Sequence, residues 1–203
     1  DFSRADLSGA EMVGASFTEA NFSSANLSGA EAPGATLIRA RFANANMTGA
    51  ELSGANMNGA ALTNATLTGA ELNASTLANV SARGANFTGA EIGMSNLSNG
   101  DFRSVNFSNA TLNGARLTGG QFAGANFSNA ELNRTDIRGA DLSDARGLTQ
   151  EQVGRACGDG STRLPGNLPA RGCRSISVRR VAPAPPAPPV PPRARNLVIA
   201  SER

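Results

Sequence analysis

The chain has 203 residues, with 16 acidic residues against 18 basic ones, every one of them Arg, for a formal net charge of +2. It has no Lys, His, Trp or Tyr, which excludes a His-based triad, an imidazole metal site and a Gly-x-x-x-x-Gly-Lys phosphate loop. No run of 18 apolar residues occurs, which excludes a transmembrane helix.

From position 2 to position 142 every fifth residue is apolar, without a slip of register: 13 Leu, 9 Phe, 3 Met, 2 Ile and the two alanines Ala32 and Ala82. All nine Phe of the chain stand in this one register. Two residues before these centres the residue is nearly always small, and 21 of the 28 such positions from 5 to 140 are Ala. The exceptions are Ser75, Val80, Ser95, Gly100, Val105, Gly120 and Thr135. A period of five suits neither an α-helix at 3.6 nor a strand at 2.0, so it marks a repeat architecture.

The stretches Ala5-Asp6-Leu7-Ser8-Gly9, Ala25-Asn26-Leu27-Ser28-Gly29 and Ala85-Asn86-Phe87-Thr88-Gly89 resemble the pentapeptide-repeat family, with its consensus A-(D/N)-L-x-x. The resemblance covers residues 1–146 and implies an all-β fold, a right-handed quadrilateral β-helix in which each pentapeptide forms one face and 20 residues make one coil. The spelling supports such a coil independently. Glu precedes the centre at Glu11, Glu31, Glu51, Glu71, Glu91 and Glu131, with Thr111 filling the gap. The corner before it reads Gly9, Gly29, Gly49, Gly69, Gly89, Asn109, Asn129, residues that tolerate a left-handed turn. A neighbouring column, Asp6, Asn26, Asn46, Thr66, Asn86, Asn106, Asn126, is expected to form amide ladders between coils.

Centres and alanines are expected to point inward, and the other three positions outward. Burial of one Leu or Phe centre contributes about 1.5–3 kcal/mol. Coils about 4.8 Å apart give about seven coils in a rod of about 35 Å. Ala32 and Ala82 are expected to leave gaps, or places where a neighbouring Phe leans in, and Pro33 suits an outer corner. The chain opens at Asp1 already inside the repeat, from which we expect that the natural N-terminus has been removed by processing or truncation.

The repeat spelling ends near Arg146-Gly147, giving a β-helix over 1–146, a cap over 147–173 and a basic, Pro-rich extended tail over 174–203. Thr149 and Gln152 have capping-box spacing, and Leu148 and Val153 are spaced as a hydrophobic staple, which predicts a short helix at 150–157 covering the open end of the solenoid. Residues 148–165 also resemble a GLTQ…ACGD…LP segment of proteobacterial pentapeptide-repeat proteins, with a second Cys soon after. Cys157 and Cys173, the only two in the chain, form a disulfide in an oxidising compartment or remain buried thiols. Residues 182–192 read as a polyproline-II spacer. Pro188, Pro191 and Arg193 match a short pattern that SH3 domains read, and Leu197, Val198 and Ile199 form an apolar run suited to strand addition or to a frayed end.

Residues 1–145 hold 13 acids and 8 Arg, whereas residues 146–203 hold 3 acids and 10 Arg. An acidic rod therefore carries a basic tail. The Glu column either binds cations or an Arg-rich partner, or simply suits an outward corner, with neighbours one coil apart repelling by about 1 kcal/mol in water. No catalytic constellation and no cofactor site is found. The reading is a non-enzymatic scaffold or adaptor, extracytoplasmic (periplasmic or secreted) in a bacterium, that binds a protein partner through its faces and tail. Homodimer or end-to-end packing at open coil ends is expected to be available to it. Direct nucleic-acid binding is not expected, because the basic tail has no aromatic residue for base stacking. The alternative, at the level of fold analogy, is a DNA-mimicking topoisomerase-binding protein of the quinolone-protection kind, with a cytoplasmic location.

Overall fold

The five-residue register becomes a backbone turn at every fifth residue. In the computed structural model, which describes residues 1–173, the Ala30 N–H donates to the Leu27 carbonyl at 3.1 Å. This closes a four-residue turn whose third residue, Gly29, has φ of 62°, the pattern of a type II turn. The left-handed φ recurs at every fifth residue from 4 to 139, on 14 Gly and 14 other residues, six of them Asn. No β-branched residue holds one of these positions, as the steric cost to such side chains requires. Pro33 sits second in its turn, where its fixed φ is an advantage, and its carbonyl accepts from Gly14 N–H at 2.9 Å.

Successive turns of the chain lie in parallel register. Bridges join every fifth residue to the one 20 further on, from Asp6↔Asn26 to Asn126↔Arg146. The Leu27 N–H donates to Asn46 O at 2.6 Å and the Asn26 N–H to Ala5 O at 2.9 Å. Each face thus bonds both to the coil above and to the coil below.

The centres and their alanines fill the interior. Leu62, Leu67, Leu72, Ala35, Ala40 and Ala55 are wholly buried. Phe rings stack along the axis: Phe2–Phe22 and Phe22–Phe42 at 5.0 Å, Phe102–Phe122 at 5.1 Å, and Phe87–Phe107 and Phe107–Phe127 at 5.3 and 5.2 Å. Ala82 is fully buried, and Ala32 lines a void of about 10 Å³ among Met12, Phe22, Phe42 and Leu52. A space of about one water with only apolar walls stays dry.

Gly100 and Gly120 replace the inner Ala where two Phe columns meet. A Cβ on Gly120 would lie 2.7 Å from Cε2 of Phe122, and one on Gly100 would collide with the Phe102 ring. Three other exceptions, Ser75, Ser95 and Thr135, are buried hydroxyls. Ser95 Oγ donates to Leu72 O at 2.5 Å and accepts from the Ser75 N–H at 3.1 Å, and Thr135 Oγ1 donates to Leu112 O at 2.8 Å. No buried side-chain polar atom lacks a partner among the described residues.

Past Arg146 the repeat spelling stops but the ladder does not. Helix α1, Gln150–Arg155, starts at the N-cap Thr149 with both halves of the capping box formed, the Thr149 N–H donating to Gln152 Oε1 at 2.8 Å. Val153 is buried and Leu148 packs against the core. Gln152 Nε2 also donates to Ala130 O at 2.9 Å, a carbonyl that lacks its donor from a next coil, and to Phe127 O at 2.9 Å, which also accepts the turn bond from Ala130 N–H. The chain then rejoins the register through the bridges Asp136↔Cys157 and Asp141↔Arg163. The expected tail sites Pro188, Pro191, Arg193, Leu197, Val198 and Ile199 lie outside the described residues.

Candidate functional site

The Glu column is assembled by the bridge register alone. Glu11↔Glu31, Glu31↔Glu51, Glu51↔Glu71 and Glu71↔Glu91 are direct bridges, and Thr111 links Glu91 to Glu131. All six carboxylates are exposed. Asn side chains on the same face hold two of them: Asn73 Nδ2 donates to Glu91 Oε2 at 3.0 Å and Asn113 Nδ2 to Glu131 Oε2 at 2.7 Å. Arg134 is the one basic residue on this face within residues 1–145. The other three faces share the remaining seven acids and seven Arg. The net negative charge of the rod therefore resides on a single side, a geometry that focuses potential along a line.

About half of the charges on the other sides are paired. Asp101 is gripped by Arg103, Nε at 2.7 Å and Nη2 at 2.7 Å, with Arg83 Nη2 at 3.1 Å. The hydrogen bonds from Arg103 hold its carboxyl far below the usual range. Arg138 forks Asp136 likewise, at 2.9 and 2.6 Å, and its hydrogen bonds lower that carboxyl. Hydroxyl and backbone donors of Ser143 lower Asp141, and those of Ser161 help bring Asp159 down to about 2.

The adjacent face carries the Asn column and, beside it, an unbroken hydroxyl column, Ser8, Ser28, Thr48, Thr68, Thr88, Ser108, Ser128. The expected amide ladder forms only in part. Asn26 Nδ2 donates to Asp6 Oδ1 at 3.0 Å, Asn46 to Asn26 at 3.1 Å and Asn126 to Asn106 at 3.1 Å. Thr66 interrupts it, and Asn86 and Asn106 turn instead to the hydroxyls of Thr68 and Thr88, at 3.1 and 2.8 Å. A hydroxyl one coil below is a second acceptor within reach of the same amide, so residue type alone does not decide the pairing.

At the C-terminal end Cys157 and Cys173 form a disulfide, with Cα atoms 4.5 Å apart. The bridge Gly158↔Gly172 and the Gly158 N–H to Arg171 O bond at 2.6 Å fasten the same segment. Asp136 lies near both sulfurs. Sulfurs joined to each other offer no thiolate, so this trio does not fit a metal ion. Among the described residues no helix is long and apolar enough to cross a membrane.

No curated protein sequence matches the chain. Among solved structures it is similar to HetL, a pentapeptide repeat protein involved in heterocyst differentiation regulation from the cyanobacterium Nostoc. The two share 22% identity over 82% of this chain and 85% of that one, with a TM-score of 0.55. A trypsin-treated QnrB1, a plasmid-mediated fluoroquinolone resistance protein, aligns at 20% identity over 79% and 88% of the two chains, with a TM-score of 0.41. A pentapeptide repeat protein of the Arabidopsis thaliana thylakoid lumen aligns at 26% identity over 74% and 83%, with a TM-score of 0.29. The likeness to HetL shows the fold, a right-handed β-helix. The model of the pentapeptide repeats matches in eight copies, at residues 1–37, 33–69, 65–103 and 106–144. With that match spanning most of its length, the chain belongs to the pentapeptide repeat family.

Proposed function

We propose that this protein is a non-enzymatic scaffold or adaptor, a rod of about seven coils capped by α1, that binds a protein partner through its faces and its Pro-rich tail. The observation that supports it best is the one-sided charge: six exposed carboxylates in one bridge column, on a rod whose other faces balance. Exposed charges in a straight row suit electrostatic selection of a basic partner surface. The buried hydroxyls all serve backbone carbonyls or each other, which assigns them to structure. The disulfide is compatible with an extracytoplasmic location.

The DNA-mimic alternative calls for a strongly acidic rod, and the balance of acids and Arg on the other three faces weighs against it. The test compares three baits in an envelope extract: the full chain, the chain ended after Cys173, and the full chain with Glu51→Arg and Glu71→Arg. A partner lost by the charge-reversed bait places recognition on the Glu face, and one lost by the shortened bait places it on the tail. No partner on any bait refutes the proposal, and inhibition of gyrase supercoiling by the full chain then supports the alternative.

A further inference from the structure

The disulfide end of the rod holds a basic pocket that the scaffold reading does not use. A cavity of about 580 Å³ opens there, lined by Arg134, Arg155, Ala156, Cys157, Arg171, Gly172 and Cys173. Its size is that of a small-molecule site. Three guanidinium groups line it, and among the described residues no acidic side chain does. They arrive from three separate places: a corner of the last regular coil, the final turn of α1, and the segment that the disulfide ties back.

Each guanidinium keeps donors in reserve. Arg171 spends one N–H, donating from Nη1 to Gly154 O at 2.8 Å at the end of α1. Arg155 donates to Glu151 Oε1 at 2.5 Å and to Asn133 Oδ1 at 3.4 Å. Arg134 has no side-chain hydrogen bond or ion pair among the described residues, although its backbone N–H is held by Arg155 O at 2.9 Å. It stands at a left-handed corner, φ 58°, where Gly14, Gly34, Gly54 and Gly114 stand in other coils. Arg39, at another such corner, meets Glu19 at 2.7 Å. Of the two carboxylates beside the pocket, Glu151 is paired with Arg155 and Asp136 is already forked by Arg138. Five donors in a planar fork match the oxygens of phosphate or sulfate, and a guanidinium loses less hydration than an ammonium on binding them. Beside the Arg groups the wall is Ala156, Gly172 and the disulfide itself, a surface for the apolar body of a ligand.

We propose that Arg134, Arg155 and Arg171 form a binding pocket for a small molecule bearing a phosphate or sulfate group, and that the pocket is complete only while Cys157 and Cys173 are joined. Arg171 lies two residues before Cys173, so opening the disulfide removes the one covalent tie and leaves hydrogen bonds to place it: those of the Gly158–Gly172 bridge, Gly158 N–H to Arg171 O among them, and the Arg171–Gly154 bond.

The test is calorimetric titration of the oxidised full chain with inorganic phosphate and with inorganic sulfate at low salt. The variants are Arg134→Gly, which puts the corner's own preferred residue in place, and Arg171→Gln, which retains a donor for Gly154. Saturable binding is expected for one or both anions, weakened about tenfold by each variant, as loss of one charge-assisted bond implies. Reduction by dithiothreitol should weaken it at least as much, with circular dichroism confirming that the coils persist. Failure of the oxidised chain to bind either anion overturns the proposal. So does binding that both variants retain in full, which would locate it on the basic tail. Binding unchanged by reduction overturns the redox dependence. If Arg171→Gln lowers only thermal stability, the residue is a helix cap and not a ligand.

Discussion

Gly120→Ala installs the residue that the repeat itself favours, and the packing around it predicts a loss of stability. Two terms favour the change. Ala restricts the unfolded chain, contributing about 0.4–1 kcal/mol, and Gly120 does not have the left-handed φ that would forbid it. A buried methyl adds about 0.8 kcal/mol. Against them, the new Cβ would lie 2.7 Å from Phe122 Cε2 and 3.2 Å from Leu117 O. Carbon atoms rest about 3.5–4.0 Å apart, so the ring must retreat by about 1 Å. It has nowhere to go, being stacked on Phe102 at 5.1 Å and set against Phe127 at 5.9 Å. Overpacking of this kind costs about 1–3 kcal/mol; with the ring hemmed in on both sides the cost lies at the upper end, and the expected net effect is a destabilisation of about 1 kcal/mol. Urea denaturation of the single variants and the double variant in a cycle with Phe122→Leu reads this directly. In the Phe122→Leu background the same Ala should become neutral or stabilising, a coupling of about 1 kcal/mol or more. A stabilising Gly120→Ala in the wild-type chain, or an equal effect in both backgrounds, would refute the reasoning.

Gly147→Ala should destabilise the C-terminal end by more than the roughly 1–2 kcal/mol of a left-handed Cβ, because that Cβ would also lie 2.6 Å from the Ser128 backbone nitrogen. Hydrogen exchange at Gln152 and Val153 should rise before that of the coils. Leu72→Ala, at a fully buried centre, should cost about 3–5 kcal/mol and Leu72→Met less than about 1.5 kcal/mol, both read from denaturation midpoints. Folding lowers the carboxyls of Asp101, Asp136, Asp141 and Asp159 below their usual values. The stability they contribute is therefore present above the unfolded value of about 3.9 and lost as pH falls through the folded values. Thermal melts should be nearly flat from pH 7 to about 4.5 and drop steeply below it. A midpoint that declines evenly from pH 7 would contradict that pairing.

Much of the fold was legible because a solenoid repeats one local decision. A centre every fifth residue, a small residue two before it and a Gly or Asn two after it dictate side, turn and register at once. The capping box of Thr149 and Gln152 was equally local, and α1 forms where it predicts. What escaped the spelling depends on neighbours twenty or more residues away. Gly100 and Gly120 look like lapses until the rings of Phe102 and Phe122 are seen in the space of a methyl. The amides of Asn86 and Asn106 choose Thr hydroxyls over the ladder. The return of the chain to the ladder at Cys157 and Arg163 has no pentapeptide signature, since α1 has already broken the count. The Arg pocket was invisible for the same reason, because Arg134, Arg155 and Arg171 meet only after the helix has turned the chain back.

The bridge register, every fifth residue against the one 20 further on, makes this chain count its own length. A gene duplication that adds one whole turn would leave every surface column where it was and merely lengthen the rod. A gain of a single pentapeptide would keep the core intact, yet rotate everything downstream by a quarter turn and split the carboxylate row between two sides. Tolerance of the interior and tolerance of the surface are thus governed by different arithmetic. Natural length variation that respects twenties but not fives would reveal that the sides of this rod, and not only its core, have been under selection.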